Sequence, residues 1–406
     1  MLLDRFLRYV SIPTPSNEAN AGAHPSDPSV FHLAHVLEGE LRALGLVDVE
    51  CTESAVVYGV LPATQGCETS PRIGFIAHMD TVGERTGETV VPVVHENYGG
   101  GDIDLGPVAI RVTDFRYLAD CKGMTIVTSD GHSLLGADDK AGVAEIMEML
   151  TRVVRDGIPH GRIAVAFTPD EEIGHGVDTF DIARFACDFA YTVDGGIPVG
   201  ELEYENFNAS MAIFTIKGVS VHPGGAKGLM RNAALVAIEV NACLPALETP
   251  AHTCGHEGFY HLESMEGDVE KARLTYIVRD HDAATFAARE ATLRHVAKAM
   301  NEKYGEGTVE LEIRGQYRNM LEKVREKPRC LELAAEAIKA LGHDVCSRPI
   351  RGGTDGALLS HRGLPTPNLS TGGGGVHGPM EHAVLEYMDE CVDILCEIVR
   401  RGAAAH

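Results

Sequence analysis

The sequence is short of positive charge. Against 59 aspartates and glutamates stand 35 lysines and arginines, a formal balance of −24. That deficit argues against a nucleic-acid backbone or an anionic membrane as partner, because both would be repelled. Missing too is any stretch approaching the roughly 20 apolar residues of a membrane span. The opening run Met1-Leu-Leu-Asp-Arg-Phe-Leu-Arg-Tyr-Val10 interleaves charge with apolar side chains, and neither an apolar core nor a small-residue cleavage site follows. It reads as an amphipathic helix, not a targeting segment. The ten cysteines include no Cys-x-x-Cys pair. Without a secretory signal they are expected to be reduced core thiols of a cytoplasmic protein. Tryptophan, internal repeats and low-complexity tracts are also absent, and 406 residues is long for one core, so two domains are expected.

What is present is organised around Arg162-Ile-Ala-Val-Ala-Phe-Thr-Pro-Asp-Glu-Glu-Ile-Gly-His-Gly176. An apolar run without polar alternation predicts a strand buried on both faces. Proline stops it, and Asp170, Glu171 and Glu172 follow where the strand must surface. Three adjacent carboxylates repel one another unless something positive holds them. Ligands of open α/β sheets bind just past the carboxyl ends of strands. Other segments deliver matching groups there. Arg72 to Ala77 is a second buried run, ending in His78-x-Asp80, whose side chains share a face in extended backbone. Leu134-Leu-Gly-Ala-Asp138-Asp139 enters a helical pattern; capping explains one aspartate and leaves the other surplus. Phe189-Ala-Tyr-Thr-Val-Asp194 is a third short run ending in a carboxylate, and a glycine-rich loop supplies His377. Each residue alone has an ordinary reading as a cap, a solvated loop or a satisfied histidine. Together, imidazole and carboxylate without thiolate suit Zn, Co or Mn, and this many carboxylates imply two ions.

From about residue 207 the pattern changes to βαββαβ, with strands at Ser210 to Lys217, Gly258 to Met265, Lys271 to Arg279 and Thr308 to Arg314. Helices are expected over Asn232 to Leu244 and Ala284 to Glu302. This is a ferredoxin-like order, read as a domain of residues 207–313 inserted into a first domain of residues 1–206 plus 314–406. Residues 84–133 read as a long polar insertion with a flexible turn at Tyr98-Gly-Gly-Gly101. Two motifs are set aside. His252-Thr-Cys254-Gly-His256 has metal-binding residue types but no second cluster to complete it. Gly373-Gly-Gly-Val-His-Gly378 fits a dinucleotide fingerprint, but Pro379 follows and no βαβ unit surrounds it.

The strings Ala-His78-Met-Asp80-Thr, Gly-Ala-Asp138-Asp-Lys-Ala-Gly, Thr-Pro-Asp-Glu171-Glu172-Ile-Gly and Tyr-Thr-Val-Asp194-Gly-Gly resemble those of the two-zinc exopeptidase family. That family includes carboxypeptidase G and succinyl-diaminopimelate desuccinylase. Glu-Asn-Phe-Asn208, Val-His222-Pro-Gly, Gly-Phe-Tyr-His261-Leu, Tyr-Ile-Val-Arg279-Asp and Pro-Ile-Arg351-Gly-Gly-Thr-Asp-Gly extend the match along the chain, to the tripeptide aminopeptidases of that family. The resemblance implies an α/β catalytic domain with a mixed, largely parallel sheet, and an inserted domain acting as lid and dimer interface. It implies two zinc ions per subunit, with cobalt or manganese as substitutes. His78 and Asp194 would hold one, Glu172 and His377 the other, and Asp138 would bridge. Glu171 would be the general base, Asp80 would support His78, His222 would stabilise the oxyanion, and Arg279 and Arg351 would clamp the substrate carboxylate.

The expected activity is removal of the N-terminal residue from short peptides, foremost tripeptides, by a cytoplasmic homodimer. Rival readings are a dipeptidase, carboxypeptidase or deacylase of the same family, and a catalytically silent metal- or peptide-binding protein. The sequence departs from the family pattern at Gly374, Gly375 and Val376 beside His377, and across residues 84–133.

Overall fold

The computed structural model describes residues 1–83 and 90–404. The chain forms two compact units, the first made of Met1–Tyr204, Glu322–Arg348 and Thr354–His406, the second of Glu205–Leu321 with Pro349–Gly353.

The first unit is built on a seven-stranded sheet. Its order is Val47–Cys51, Val57–Leu61, Ile163–Thr168, Ile73–His78, Phe189–Val193, Asn368–Leu369 and Leu202–Glu203. The strands Ile163–Thr168, Ile73–His78 and Phe189–Val193 lie side by side and parallel. Every residue in them is buried, as uninterrupted apolar runs require of strands covered on both faces. Asn368–Leu369 continues the parallel set, while the strands Val47–Cys51, Val57–Leu61 and Leu202–Glu203 pair antiparallel, which makes the sheet mixed. Register pairs His78 with Thr168 and Ile76 with Thr192. The three strands therefore end in one row, and the residues that follow them emerge together.

The helix Ala137–Asp156 packs on two of those strands and against the helices Leu2–Val10 and Leu385–Ala404. Gly142 makes its close approach possible, since a Cβ there would lie 1.8 Å from the carbonyl oxygen of Val193. Among the described residues no helix is long and apolar enough to cross a membrane, and the ten cysteines are free.

The segment expected as a polar insertion is more ordered than its composition suggests. Residues 84–89 of it lie outside the described residues. Beyond them, Val93–His95 and Ile126–Thr128 join Gly373–Gly374 and His382–Val384 in a four-stranded sheet. Tyr98, placed in the expected flexible turn, is buried with Ile103, Ile110, Leu118 and Ile126. Strands of two or three residues are too short to display a period of two, so the sequence pattern conceals them. Their consequence is functional: this sheet holds both ends of the loop carrying His377.

The second unit has the βαββαβ order. Its sheet runs Phe259–Gly267, Lys271–Asp280, Asn208–Lys217, Val309–Tyr317, all antiparallel. The helices Ala233–Ala242 and Ala283–Tyr304 are capped by the side chains of Asn232 and Asp282. They cover one face of the sheet through Val236, Val240, Leu293, Val296 and Met300.

Candidate metal centre

The three adjacent carboxylates after Ile163–Thr168 separate as the turn forms. Asp170 takes a left-handed backbone (φ 61°), and its carboxylate turns away to accept from the Ser26 N–H (2.8 Å) and hydroxyl (2.5 Å). Glu171 and Glu172 then start a short 3-10 turn. Their backbone N–H groups donate to the two oxygens of Asp80, at 3.0 and 3.2 Å. Asp80 is thus a brace between two strand ends. It fixes the turn carrying both glutamates and lies beside His78, Nδ1 to Oδ1 being 3.4 Å.

His78 is almost wholly buried. Its Nδ1 donates to the backbone oxygen of Asp80 (3.0 Å), which fixes the ring with Nε2 facing the site. That nitrogen lies 2.9 Å from Asp138 Oδ1 and 3.5 Å from Asp194 Oδ1. The other oxygen of Asp138 lies 3.0 Å from His377 Nε2, and the same nitrogen is 3.1 Å from Glu172 Oε2. Asp138 is therefore shared by two imidazoles, each with one further carboxylate of its own.

The two aspartates at the helix entry divide as capping chemistry asks. Both have non-helical backbone angles. Asp139 accepts from the Gly142 N–H (3.1 Å) and from the His78 N–H (3.3 Å), so it caps the helix and ties it to the strand end. Asp138 is the surplus one, and it faces the histidines. Two groups of three ligand atoms lie within 4.8 Å of one another, His78–Asp138–Glu172 and His78–Asp139–Asp194. Because both oxygens of Asp139 are engaged by backbone N–H groups, Asp138 is the better ligand and Asp139 the support.

Charge distribution points the same way. Burial disfavours an imidazolium at His78, yet Asp194, Asp138 and Asp80 hold its pKa well above the ordinary value. Hydrogen bonds to Asp138 and Glu172 push His377 up to about 10. Burial, only partly offset by His78, lifts Asp194 to about 6. Glu171 is raised by burial and by the charges of Asp194, Asp355 and Glu172. Carboxylates gathered this closely call for positive charge among them. The donor set answers with nitrogen and oxygen only, each imidazole nitrogen lying 2.9–3.5 Å from its carboxylate oxygens. Around a tetrahedral ion with bonds of roughly 2.0–2.1 Å, ligand atoms stand roughly 3.3 Å apart. The residues fit two divalent ions.

Three acids near the site, Asp355 and Glu381 buried and Glu203 half-buried, escaped the sequence reading. Asp355 accepts from the Thr168 hydroxyl (2.8 Å), and burial raises it to about 7. Glu203 accepts from Asn368 Nδ2 (2.8 Å), and Asn368 Oδ1 accepts from the Asp194 N–H (3.2 Å). Glu381 binds the backbone that presents Asp138. Each reads in sequence as an ordinary loop or strand-edge carboxylate, and the partners are remote along the chain.

His222, Arg279 and Arg351 belong to the second unit. His222 is exposed; its Nδ1 accepts from the Gly224 N–H (3.1 Å), so in the neutral ring Nε2 carries the proton. Arg279 is buried, stacks on Tyr317 and donates to the carbonyls of Ser210 and Val278. Arg351 lies over the rings of Phe207 and Phe259 and donates four bonds to Thr253, Gly255 and Glu257. Among the described residues neither arginine has a carboxylate salt-bridge partner. His252 and His256 face Thr249 and Glu205, and no candidate metal group forms around them among the described residues. Gly373–Gly374 is a short strand with no following helix, so the glycine run is not a nucleotide loop.

Residues 127–401 match the model of Peptidase family M20/M25/M40. A Peptidase T of Desulfitobacterium hafniense is 49% identical over 409 residues, spanning 100% of this chain and 99% of that one. Among solved structures, a tripeptidase from Staphylococcus aureus superposes with a TM-score of 0.80 at 22% identity, over 99% of this chain and 98% of that one. The aminopeptidase PepT of Bacillus cereus gives 0.78 at 21% identity, over the same shares. At such identities these two show a common fold.

Proposed function

The chain belongs to peptidase family M20/M25/M40, and from that premise we propose that it is an aminopeptidase removing the first residue of tripeptides at a centre holding two zinc ions. It is a hydrolase acting on peptide bonds. The observation carrying the reading is Asp138, whose two oxygens lie 2.9 Å from His78 Nε2 and 3.0 Å from His377 Nε2. The Peptidase T relative supports the substrate class.

His78, Asp194 and Asp138 would hold one ion, and Glu172, His377 and Asp138 the other. Two ions bound there supply Lewis acidity, polarising the scissile carbonyl and lowering the pKa of an attacking water. The remaining work falls to the chain. Glu171 engages no ligand position, so its carboxylate is free to take the water's proton and return it to the leaving amine. Asp80 keeps Nε2 of His78 turned to the site and holds Glu171 and Glu172 in register. His222, with its proton on Nε2, has the donor needed for an oxyanion. Arg279 and Arg351 are cationic groups without salt-bridge partners among the described residues, suited to a peptide's terminal carboxylate. We assign residues 207–313 as lid and dimer interface, and the cytoplasm as the compartment, as the resemblance and the free thiols suggest.

A peptide panel tests this. A free tripeptide is expected to lose its first residue only, with N-acetylation abolishing turnover and dipeptides turning over more slowly. Faster cleavage of dipeptides, or release from the C-terminus, would assign the chain to another member activity of the family.

A further inference from the structure

Glu381 stands four residues beyond His377 and is almost wholly buried. Its Oε2 accepts from the N–H groups of Leu135 (2.8 Å) and Gly136 (2.7 Å), and its Oε1 from the N–H of Asp138 (2.9 Å). These donors belong to the loop that turns from the apolar pair Leu134-Leu135 into the helix. Gly136 there has a left-handed backbone (φ 80°), and Asp138 is outside helical geometry. The loop cannot pair those N–H groups within a helix or a sheet. A buried N–H without a partner is costly, and one carboxylate serves three. The ammonium of Lys140, itself buried and donating to the Ile12 carbonyl (2.8 Å), lies within electrostatic reach of Glu381 and Asp80. Glu381 is tethered at its other end as well. Its own N–H donates to the Gly378 carbonyl (3.1 Å), closing the turn that directly follows His377, and His382 begins the strand paired with Gly373–Gly374.

We propose that Glu381 is a positioning residue, which clamps the Leu135–Asp138 loop to the His377 turn and so fixes the distance between Asp138 and His377. The inference rests on the reading of those two residues as ligands of one ion. It has a direct geometric basis: the side chain grips the backbone of one ligand from a position one turn away from the other. An amide in place of the carboxylate keeps the volume but replaces one acceptor oxygen with a donor NH2 pointing at backbone N–H groups. That reversal opens the loop without emptying the site.

The test compares Glu381→Gln, Glu381→Ala and Glu381→Asp with the wild type and His377→Ala. Each is titrated with Co2+ while absorption is recorded, and kcat and KM are measured on one tripeptide. Partners that orient a ligand are typically worth 10–100-fold in metal affinity. Glu381→Gln is expected to weaken the more loosely held ion by about that factor, alter the cobalt spectrum and lower kcat with little change in KM. Glu381→Asp should recover part of all three. Unaltered cobalt affinity and spectrum in Glu381→Gln would overturn the proposal, even if melting temperature falls, since a merely structural carboxylate would give that pattern. If Glu381→Ala fails to fold, Glu381→Gln still decides. Should wild type and His377→Ala take up cobalt identically, the two-ion reading itself has failed, which is a different result.

Discussion

Gly142 offers a sharp test of how the fold sets the site, because the collision it avoids has a known size. A Cβ at this position would lie 1.8 Å from the Val193 carbonyl oxygen and 2.5 Å from Asp139 Oδ1. Carbon and carbonyl oxygen ordinarily approach no closer than about 3.3 Å. In Gly142→Ala the first turn of the helix must therefore retreat from the strand end by on the order of 1.5 Å, or the strand must yield by as much. Neither side is a flexible side-chain tip. Val193 is in the central sheet, and Asp139 caps the helix through the Gly142 N–H. The retreat separates Asp138 from Asp194, the pair flanking His78. Metal bonds tolerate about 0.2 Å, and a misplacement of about 1 Å at a reacting centre costs about 10²-fold. Overpacking itself costs about 1–3 kcal/mol. Gly142→Ala is thus expected to remain folded, bind less metal, and lose at least about 10² in kcat/KM. Gly39→Ala is the control. Gly39 lies in the helix Phe31–Ala43, where a Cβ meets nothing within 4 Å, so alanine should stabilise by about 0.5–1 kcal/mol. Melting temperature, metal content and tripeptide turnover read both. Full activity with normal metal content in Gly142→Ala would refute the idea that helix–strand contact sets ligand spacing.

Other outcomes follow from the division of roles. Glu171→Gln should retain metal and lose about 10²–10⁴ in kcat, whereas Glu172→Gln should lose metal as well; equal metal loss in both would reverse the assignment. His222→Ala should lower kcat with unchanged metal content, and coexpression with Glu171→Gln chains tests whether it acts across a dimer. Recovered activity in the mixed dimer places His222 in the partner's site; no recovery after verified subunit exchange confines it to its own chain. Glu203, raised to about 8 by burial and then by the charge of Glu201, keeps its proton in the folded protein after the unfolded chain has lost it. Stability is therefore expected to fall as pH rises from about 4.5 to about 8. Melting curves of Glu203→Gln against wild type should diverge across that window, the variant gaining as pH increases. A constant difference would show that Glu203 is ionised throughout.

The site was legible where the signal is local. Buried parallel strands leave unbroken apolar runs, and a carboxylate or histidine just past such a run stands out; His78, Asp194 and the Glu171-Glu172 pair were visible for that reason. The surplus aspartate at residues 138–139 could be counted, but which one caps depends on the backbone turn at Gly136. Glu381 and Asp355 were hidden because their partners lie far away in sequence; Glu381 reaches back 246 residues to Leu135. Residues 90–128 were hidden by brevity, their strands being too short for periodicity to register. Arg351 illustrates the converse. The family resemblance made it a carboxylate clamp in sequence, while the structure engages four of its donors with the 253–257 turn.

The central claim is that Asp138 bridges two divalent ions which together support peptide hydrolysis. Elemental analysis of the purified protein, paired with tripeptide turnover before and after chelation, tests it most directly. The account predicts two ions per chain, loss of turnover on chelation with the fold retained, recovery on adding back metal, and a single tightly held ion in His377→Ala. Turnover that survives exhaustive chelation would contradict it.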